Sequence, residues 1–234
     1  MLEQLLERGF KELGLEADAQ ALRRYRVYYE YLTEMNAVMN LTAIEGERDV
    51  AGLHFLDSAA LLTMEDFADR RVVDLGTGAG FPGLAMKIAC PRMELCLLDS
   101  LDKRVGFLKS ACERLGFSDV SCIHARAEEI PAGLRESFDY ALARAVARLN
   151  LLSELCLPYV KLGGAFIAMK GPELEAELRE AEGAIALLGG KVESVRDYRV
   201  PGTEVSHSAV IIRKTAPTPG KYPRRWAQIK KSPL

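Results

Sequence analysis

From Val72 to Gly83 the chain reads Val-Val-Asp-Leu-Gly-Thr-Gly-Ala-Gly-Phe-Pro-Gly. An apolar run ends on a carboxylate, Asp74, then enters a turn carrying Gly76, Gly78, Gly80 and Gly83. Glycine tolerates positive φ and lets a ligand approach bare backbone, so this composition makes a cofactor cradle at the C-terminal edge of a strand. Two ligand chemistries compete. Gly78-x-Gly80-x-x-Gly83, followed about 20 residues later by the acidic Asp99, matches dinucleotide spacing. Three features oppose that reading. The strand ends near Leu75, too early for the glycines. Pro82 stands in the first helical turn, where a pyrophosphate needs N–H groups and proline has none. Asp74 would repel a pyrophosphate but suits a cationic ligand. A ligand-free turn is the plainer alternative, and Asp99 at the tip of the next strand argues against it.

Other reactive residues stand where apolar runs stop. Arg144 closes the run Tyr140 to Ala143. A charge there is costly unless paired, so Arg144 is expected to meet cofactor or substrate. Lys170 closes Phe166 to Met169 and is expected to point into the same cleft. Arg144 and Lys170 are therefore the candidate catalytic residues. His54 is weaker, because a lone histidine on an amphipathic helix is more often a packing residue. The five cysteines are odd in number and scattered, with no CxxC pair. They read as reduced core residues of a cytoplasmic protein rather than a zinc site, and no metal is expected.

The elements that must hold these residues follow from periodicity. Residues 1–14 and 18–37 read as amphipathic helices, and 47–64 as another. From Arg71 strands and helices alternate, the pattern of a parallel α/β sheet. Strands are expected near 71–75, 93–98, 119–123, 138–142 and 164–169, and helices near 82–89, 102–115, 149–160 and 173–188. Two extended runs, 191–200 and 206–213, form a hairpin, so the last strand is antiparallel. The division is a helical extension at 1–66 packed on the core, a core at 67–214 and a basic tail at 215–234. No run approaches the ~18 apolar residues of a membrane span, and no basic-then-apolar leader is present. A monomer is expected, since the sheet can cover the apolar face of the second helix.

Net charge is only −2, but its distribution is polar. Residues 1–70 carry 7 Lys and Arg against 14 acids, and residues 198–234 carry 8 against one. The tail Lys221-Tyr222-Pro223-Arg224-Arg225-Trp226 interleaves cations with aromatics. That composition resembles an RNA-contacting segment, with Lys221, Arg224 and Arg225 on phosphates and rings on bases. A merely solvated terminus has the same composition.

Asp-x-Gly-x-Gly-x-Gly resembles motif I of the class I S-adenosylmethionine methyltransferases, whose cofactor carries an ammonium and a sulfonium and no phosphate. The resemblance implies a Rossmann-like seven-stranded sheet and S-adenosyl-L-methionine as cofactor. It also implies that Asp74 faces the methionine amino end directly or through water, that Gly76 and Gly78 pass under the cofactor, and that Asp99 takes the ribose. The loop after the third strand would border the adenine, making Ala127 and Glu128 its readers. For Glu128 a helix N-terminal acid is the alternative.

More motifs follow in order: Asn40-Leu41-Thr42, His54 to Ser58, Asp74 to Gly83, Leu97 to Ser100 with Lys103 to Leu108, Arg126 to Glu129, Arg144-Ala145 and Lys170-Gly171. Together they resemble the ribosomal RNA small subunit methyltransferase G family, also called glucose-inhibited division protein B, over nearly the whole chain. The resemblance implies methylation of guanine N7 in 16S ribosomal RNA, at about position 527 in the usual numbering, on naked rRNA or on a ribosomal subunit. It implies cofactor contacts at Gly76, Phe81, Ala127, Glu128 and Arg144, with Lys170 as a phosphate or guanine O6 contact. Many relatives continue after Tyr-Pro-Arg-Arg with Gly-Thr-Pro, whereas this chain has Trp226-Ala227-Gln228-Ile229. A methyltransferase for another RNA, a small molecule or a protein stays open, as does a non-catalytic RNA- or ribosome-binding module.

Overall fold

The computed structural model describes residues 1–144, 147–171 and 174–234. Ala145 of the fourth-strand motif and the expected helix start at 173 lie outside the described residues. Helices α1 (Leu2–Glu12) and α2 (Ala19–Met39) come first. Asp18 caps α2 by accepting from the Ala21 N–H at 2.7 Å, and Asn40 ends it in the left-handed conformation. The expected helix at 47–64 is broken into α3 (Glu47–Val50), a π-helical run over Ala51–Leu56, α4 (Asp57–Ala59) and a 3-10 turn over Ala60–Thr63. Gly52 lets the π run lie against another loop, since an added Cβ would meet the Thr203 methyl at 2.7 Å. Short π segments often mark functional positions, and this one carries His54.

Alternation then builds the sheet: β1 (Arg71–Leu75), α5 (Gly83–Ala89), β2 (Glu94–Asp99), α6 (Asp102–Leu115), β3 (Ser121–His124), β4 (Phe138–Arg144), α7 (Leu149–Cys156), β5 (Val160–Lys170), α8 (Leu174–Leu187), β6 (Gly190–Arg199) and β7 (Ser206–Lys214). A last helix, α9 (Trp226–Lys231), follows. The strand order is β3-β2-β1-β4-β5-β7-β6, with β7 antiparallel to both its neighbours. Order reverses between β1 and β4, the place where open α/β sheets bind ligands.

Both faces of the sheet are covered. Val72, Leu97, Leu142 and Ile167 pack into a cluster with α1, α2, α5 and α6. Val73, Leu98, Ala141 and Phe166 pack into a second with α7, α8 and α9. Burial on both sides explains why these strands are continuous apolar runs rather than alternating ones. The N-terminal helices therefore share the first cluster with the sheet. Tyr25 donates to the Ala85 carbonyl at 2.8 Å, and Tyr28 donates to the Ala79 carbonyl inside the glycine turn.

Candidate active site

Two clefts open at the C-terminal edge of the sheet. The first, of about 310 Å³, lies over β1, β2 and the loop after β3. Gly76, Ser100, Ala127 and Glu128 give it polar groups, while Leu75, Leu98 and Cys156 make apolar walls. Gly76 is anchored by its N–H on the Leu98 carbonyl at 2.8 Å. Gly78 has φ +61 and open space where a side chain would stand, and its N–H donates to Asp99 Oδ2 at 2.9 Å. Asp99 Oδ1 accepts from the Leu101 N–H at 2.9 Å, and Arg104 Nη1 lies 3.7 Å from Oδ2.

Asp74 is fully buried beneath this turn. Its Oδ2 accepts from the Thr77 hydroxyl at 2.6 Å and from the Gly83 N–H at 2.8 Å. Gly83 is required there, because a Cβ would meet Asp74 at 2.9 Å. Asp74 Oδ1 is buried with no hydrogen-bond partner among the described residues. Burial pushes the carboxyl up to about 6. A nearby ammonium, directly or through water, would satisfy that oxygen and favour the ionised form. An apolar cleft, an open glycine floor and an unsatisfied carboxylate fit a cationic nucleoside cofactor and not a pyrophosphate.

The second cleft, of about 560 Å³, lies over β4, β5 and β7; Ile44, Leu53, Met169 and Val205 give it apolar walls, and His54, Asp57, Arg144, Lys170, Glu177 and His207 give it polar groups. Asp57 is its centre and is buried. Its Oδ1 accepts from Tyr198 Oη at 2.8 Å and from His207 Nδ1 at 2.9 Å, and its Oδ2 from Arg144 Nη1 at 3.1 Å. Arg144 Nη1 also donates to the Leu53 carbonyl at 3.0 Å, and Nη2 reaches His54 Nδ1 at 2.9 Å. A guanidinium only donates, so His54 Nδ1 is the acceptor and its proton sits on Nε2, 2.8 Å from Thr42 Oγ1. Burial, reinforced by the Arg144 charge, drives His54 down to about 3, so this ring is neutral. The hydrogen bond to Asp57 raises His207 instead. Lys170 is held by Glu177 Oε2 at 2.6 Å and by the Ala147 carbonyl at 2.8 Å.

The comparisons with known proteins agree with one another. Residues 21–204 match the family described as rRNA small subunit methyltransferase G. A protein of that name from Alkaliphilus metalliredigens is 44% identical over 98% of each chain. Another, from Acetivibrio thermocellus, is 41% identical over 100% of this chain and 97% of its own. The chain belongs to the rRNA small subunit methyltransferase G family. Similarity of fold extends further. A solved predicted O-methyltransferase from Agrobacterium tumefaciens superposes with a TM-score of 0.54 at 18% identity, over 70% of this chain and 81% of that one. The 16S rRNA (adenine(1408)-N(1))-methyltransferase of Catenulisporales acidiphilia does so with a TM-score of 0.51 at 19% identity, over 64% and 87%. The seven-stranded class I methyltransferase sheet is the fold of this family member.

The residues singled out from the sequence are thus distributed unevenly. Gly76, Ala127 and Glu128 line the first cleft, and Gly78 and Asp99 are bonded to each other beside it. Phe81 is not among the residues lining the first cleft; its ring is 5% exposed and stacks on His54 with centroids 4.1 Å apart. Arg144 lines the second cleft, not the first. Its need for a partner is met by Asp57 rather than by a cofactor. Lys170 reaches the second cleft already neutralised by Glu177. Arg224 is half-buried and forks onto both oxygens of the buried Glu154, at 2.8 and 2.6 Å. Lys221 and Arg225 are exposed. Sequence reasoning missed Asp57, Tyr198, Glu177, His207 and Trp226. Only Asp57 had a signal, standing three residues after His54 within one motif.

Proposed function

We propose that this chain transfers a methyl group from S-adenosylmethionine to N7 of a guanine in 16S ribosomal RNA. The first cleft would hold the cofactor and the second the base. When bound, S-adenosylmethionine supplies an electrophilic sulfonium methyl. Guanine N7 already has a free lone pair, so N–C bond formation and S–C bond cleavage need no prior loss of a proton.

One observation carries this reading: the acceptors of the second cleft are in use. Asp57 accepts three hydrogen bonds, His54 Nδ1 is taken by Arg144, and Glu177 by Lys170 and by the Leu149 N–H at 2.9 Å. Among the described residues the carboxylates and the neutral imidazole of this cleft are not idle bases. Donors, by contrast, remain. Both Nη1 protons of Arg144 are engaged, whereas among the described residues Nε and one Nη2 proton have no partner. A donor of that kind suits guanine O6 while leaving N7 free to attack. Catalysis then rests on orientation, worth about 7–11 kcal/mol in well-aligned systems, and on fixed dipoles.

Exposed Lys221, Arg225, Lys230 and Lys231 are the tail cations left to meet RNA phosphates. The apolar face of α2 is consumed inside the fold, which supports action as a monomer. The free cysteines fit a reducing cytoplasm.

The test is transfer of labelled methyl from S-adenosylmethionine to unmethylated small subunits and to free 16S rRNA, with the nucleoside identified by mass spectrometry. N7-methylguanosine at one site is expected. Label on an adenine, on a cytosine or on subunit protein would overturn the assignment.

A further inference from the structure

The basic tail is an ordered strap rather than a loose arm. Arg135 holds it first, donating to the carbonyls of Tyr222 at 2.8 Å and Thr218 at 3.0 Å. Glu154 on α7 holds it next. This carboxylate is 1% exposed and takes the Arg224 backbone N–H at 2.8 Å as well as the guanidinium. Ile229, fully buried in the second core cluster, holds the far end.

Between those last two anchors stands Trp226, half-buried and packed against the same cluster. Its indole lines the first cleft, together with Leu152, Leu155 and Cys156 of α7 and Gly76 and Ala127 of the strand-end loops. The cleft is therefore closed on one side by a residue more than 100 positions beyond its glycine turn. A volume of about 310 Å³ lies at the lower end of the ~300–1,000 Å³ range of small-ligand sites, and a flat heteroaromatic ring matches its apolar walls.

We propose that Trp226 is a binding residue for the cofactor, its indole covering the adenine end of the cleft. This inference rests on the assignment of that cleft to S-adenosylmethionine. The tail then has a double position: Arg224 and Ile229 fix it to the protein, and Trp226 completes the nucleoside pocket. Adenine bound there excludes water from the indole and stacks on it, and stacking tolerates any aromatic replacement better than an aliphatic one.

Trp226 is the single tryptophan of the chain, so its emission reports on this cleft alone. The full-length protein is titrated with S-adenosylmethionine, and separately with adenosine, while tryptophan emission and calorimetric affinity are followed. Trp226→Ala and Trp226→Phe are titrated by calorimetry, with melting temperatures to check folding. The expected result is a saturable emission change with both ligands in the unsubstituted chain. Trp226→Ala raises Kd about tenfold for both ligands and Trp226→Phe no more than about threefold. Unchanged affinity in a folded Trp226→Ala protein overturns the proposal while the cofactor assignment stands, whether or not emission changes. Should Trp226→Ala not fold, Trp226→Phe and the emission of the unsubstituted chain decide, and an emission blind to bound ligand overturns the proposal. Failure of the unsubstituted chain to bind S-adenosylmethionine overturns the cofactor assignment itself, and this inference with it.

Discussion

The two clefts share one sheet edge and both have apolar walls, but their polar groups are of different kinds. The first is made of backbone, glycine and apolar side chains, with Asp74 and Asp99 turned inward onto the chain's own N–H groups. The second also has apolar walls, from Ile44, Leu53, Met169 and Val205, but its polar groups are side-chain charges paired with one another around Asp57 and Glu177. A cationic, flat cofactor needs shape and a few acceptors. A guanine held for attack needs donors fixed in direction, and a buried charge network fixes them because each member holds its neighbour. The contrast can be broken at either cleft.

The largest effect is expected from Asp57→Ala. It strips Arg144, His207 and Tyr198 of their common acceptor and leaves a guanidinium buried without its carboxylate. Loss of one member of a buried pair costs about 3–5 kcal/mol. Chemical denaturation should show that loss, and methyl transfer should vanish, while calorimetry finds S-adenosylmethionine affinity in the surviving folded protein within about threefold of the parent. A collapse of cofactor affinity would mean that the clefts are one unit.

Asp99→Asn tests the other side. Hydrogen bonds to charged groups contribute about 1.5–3 kcal/mol, so cofactor affinity should fall about 10- to 100-fold by calorimetry. The sequence places Asp99 at a strand tip. The structure gives it two backbone N–H partners, so a lower melting temperature should accompany the loss.

The two histidines of the second cleft should titrate in opposite senses. His54 stays neutral down to about 3, whereas an unfolded histidine takes up a proton near 6.5. Stability therefore falls as pH drops through 6.5, by at most about 1.4 kcal/mol per unit. His207 is raised, so its pair with Asp57 contributes fully below 6.5 and is lost as pH rises through the raised value. Melting curves across this range should flatten on the acid side in His54→Asn and on the alkaline side in His207→Asn. Identical profiles for both variants would sink the assignment of neutral and charged rings.

Lys170→Ala should be the mildest. The Lys170–Glu177 pair is largely buried, but Glu177 keeps the Leu149 N–H as a partner when Lys170 is removed, so the stability cost is about 1–3 kcal/mol, below that of Asp57→Ala. Transfer should slow more than cofactor binding weakens, and equal losses in both would move Lys170 into the cofactor's surroundings.

The same contrast explains what could be read from the sequence. The first cleft was legible because Asp74 to Gly83 is contiguous and Asp99 and Ala127 follow at successive strand ends. Helix α6 begins and ends where its periodicity places it, at Asp102 and Leu115. Helix α7 stops at Cys156 rather than near residue 160, because Pro158 turns the chain into a 3-10 segment, and β5 starts correspondingly early at Val160. The second cleft was not legible, since Asp57 and His207 meet across 150 positions and no local pattern joins them. Arg144 was read correctly as a charge that must be paired, but its partner is in the chain. Composition also could not separate Arg224, sunk onto Glu154, from the adjacent exposed Arg225.

The hydrogen bond from Tyr28 to Ala79 has a consequence for synthesis. Its two ends are 51 residues apart, and a ribosome adding about 5–20 residues per second leaves roughly 3–10 s between their appearances. For most of that interval α1 and α2 lack the partners that complete their burial, the π-helical segment, α5 and α6, so Leu6, Phe10, Tyr25 and Leu32 are incompletely covered. The nascent chain carries its own aggregation hazard first and its remedy second, so its yield is set by whatever shields those helices until β1 and α5 arrive.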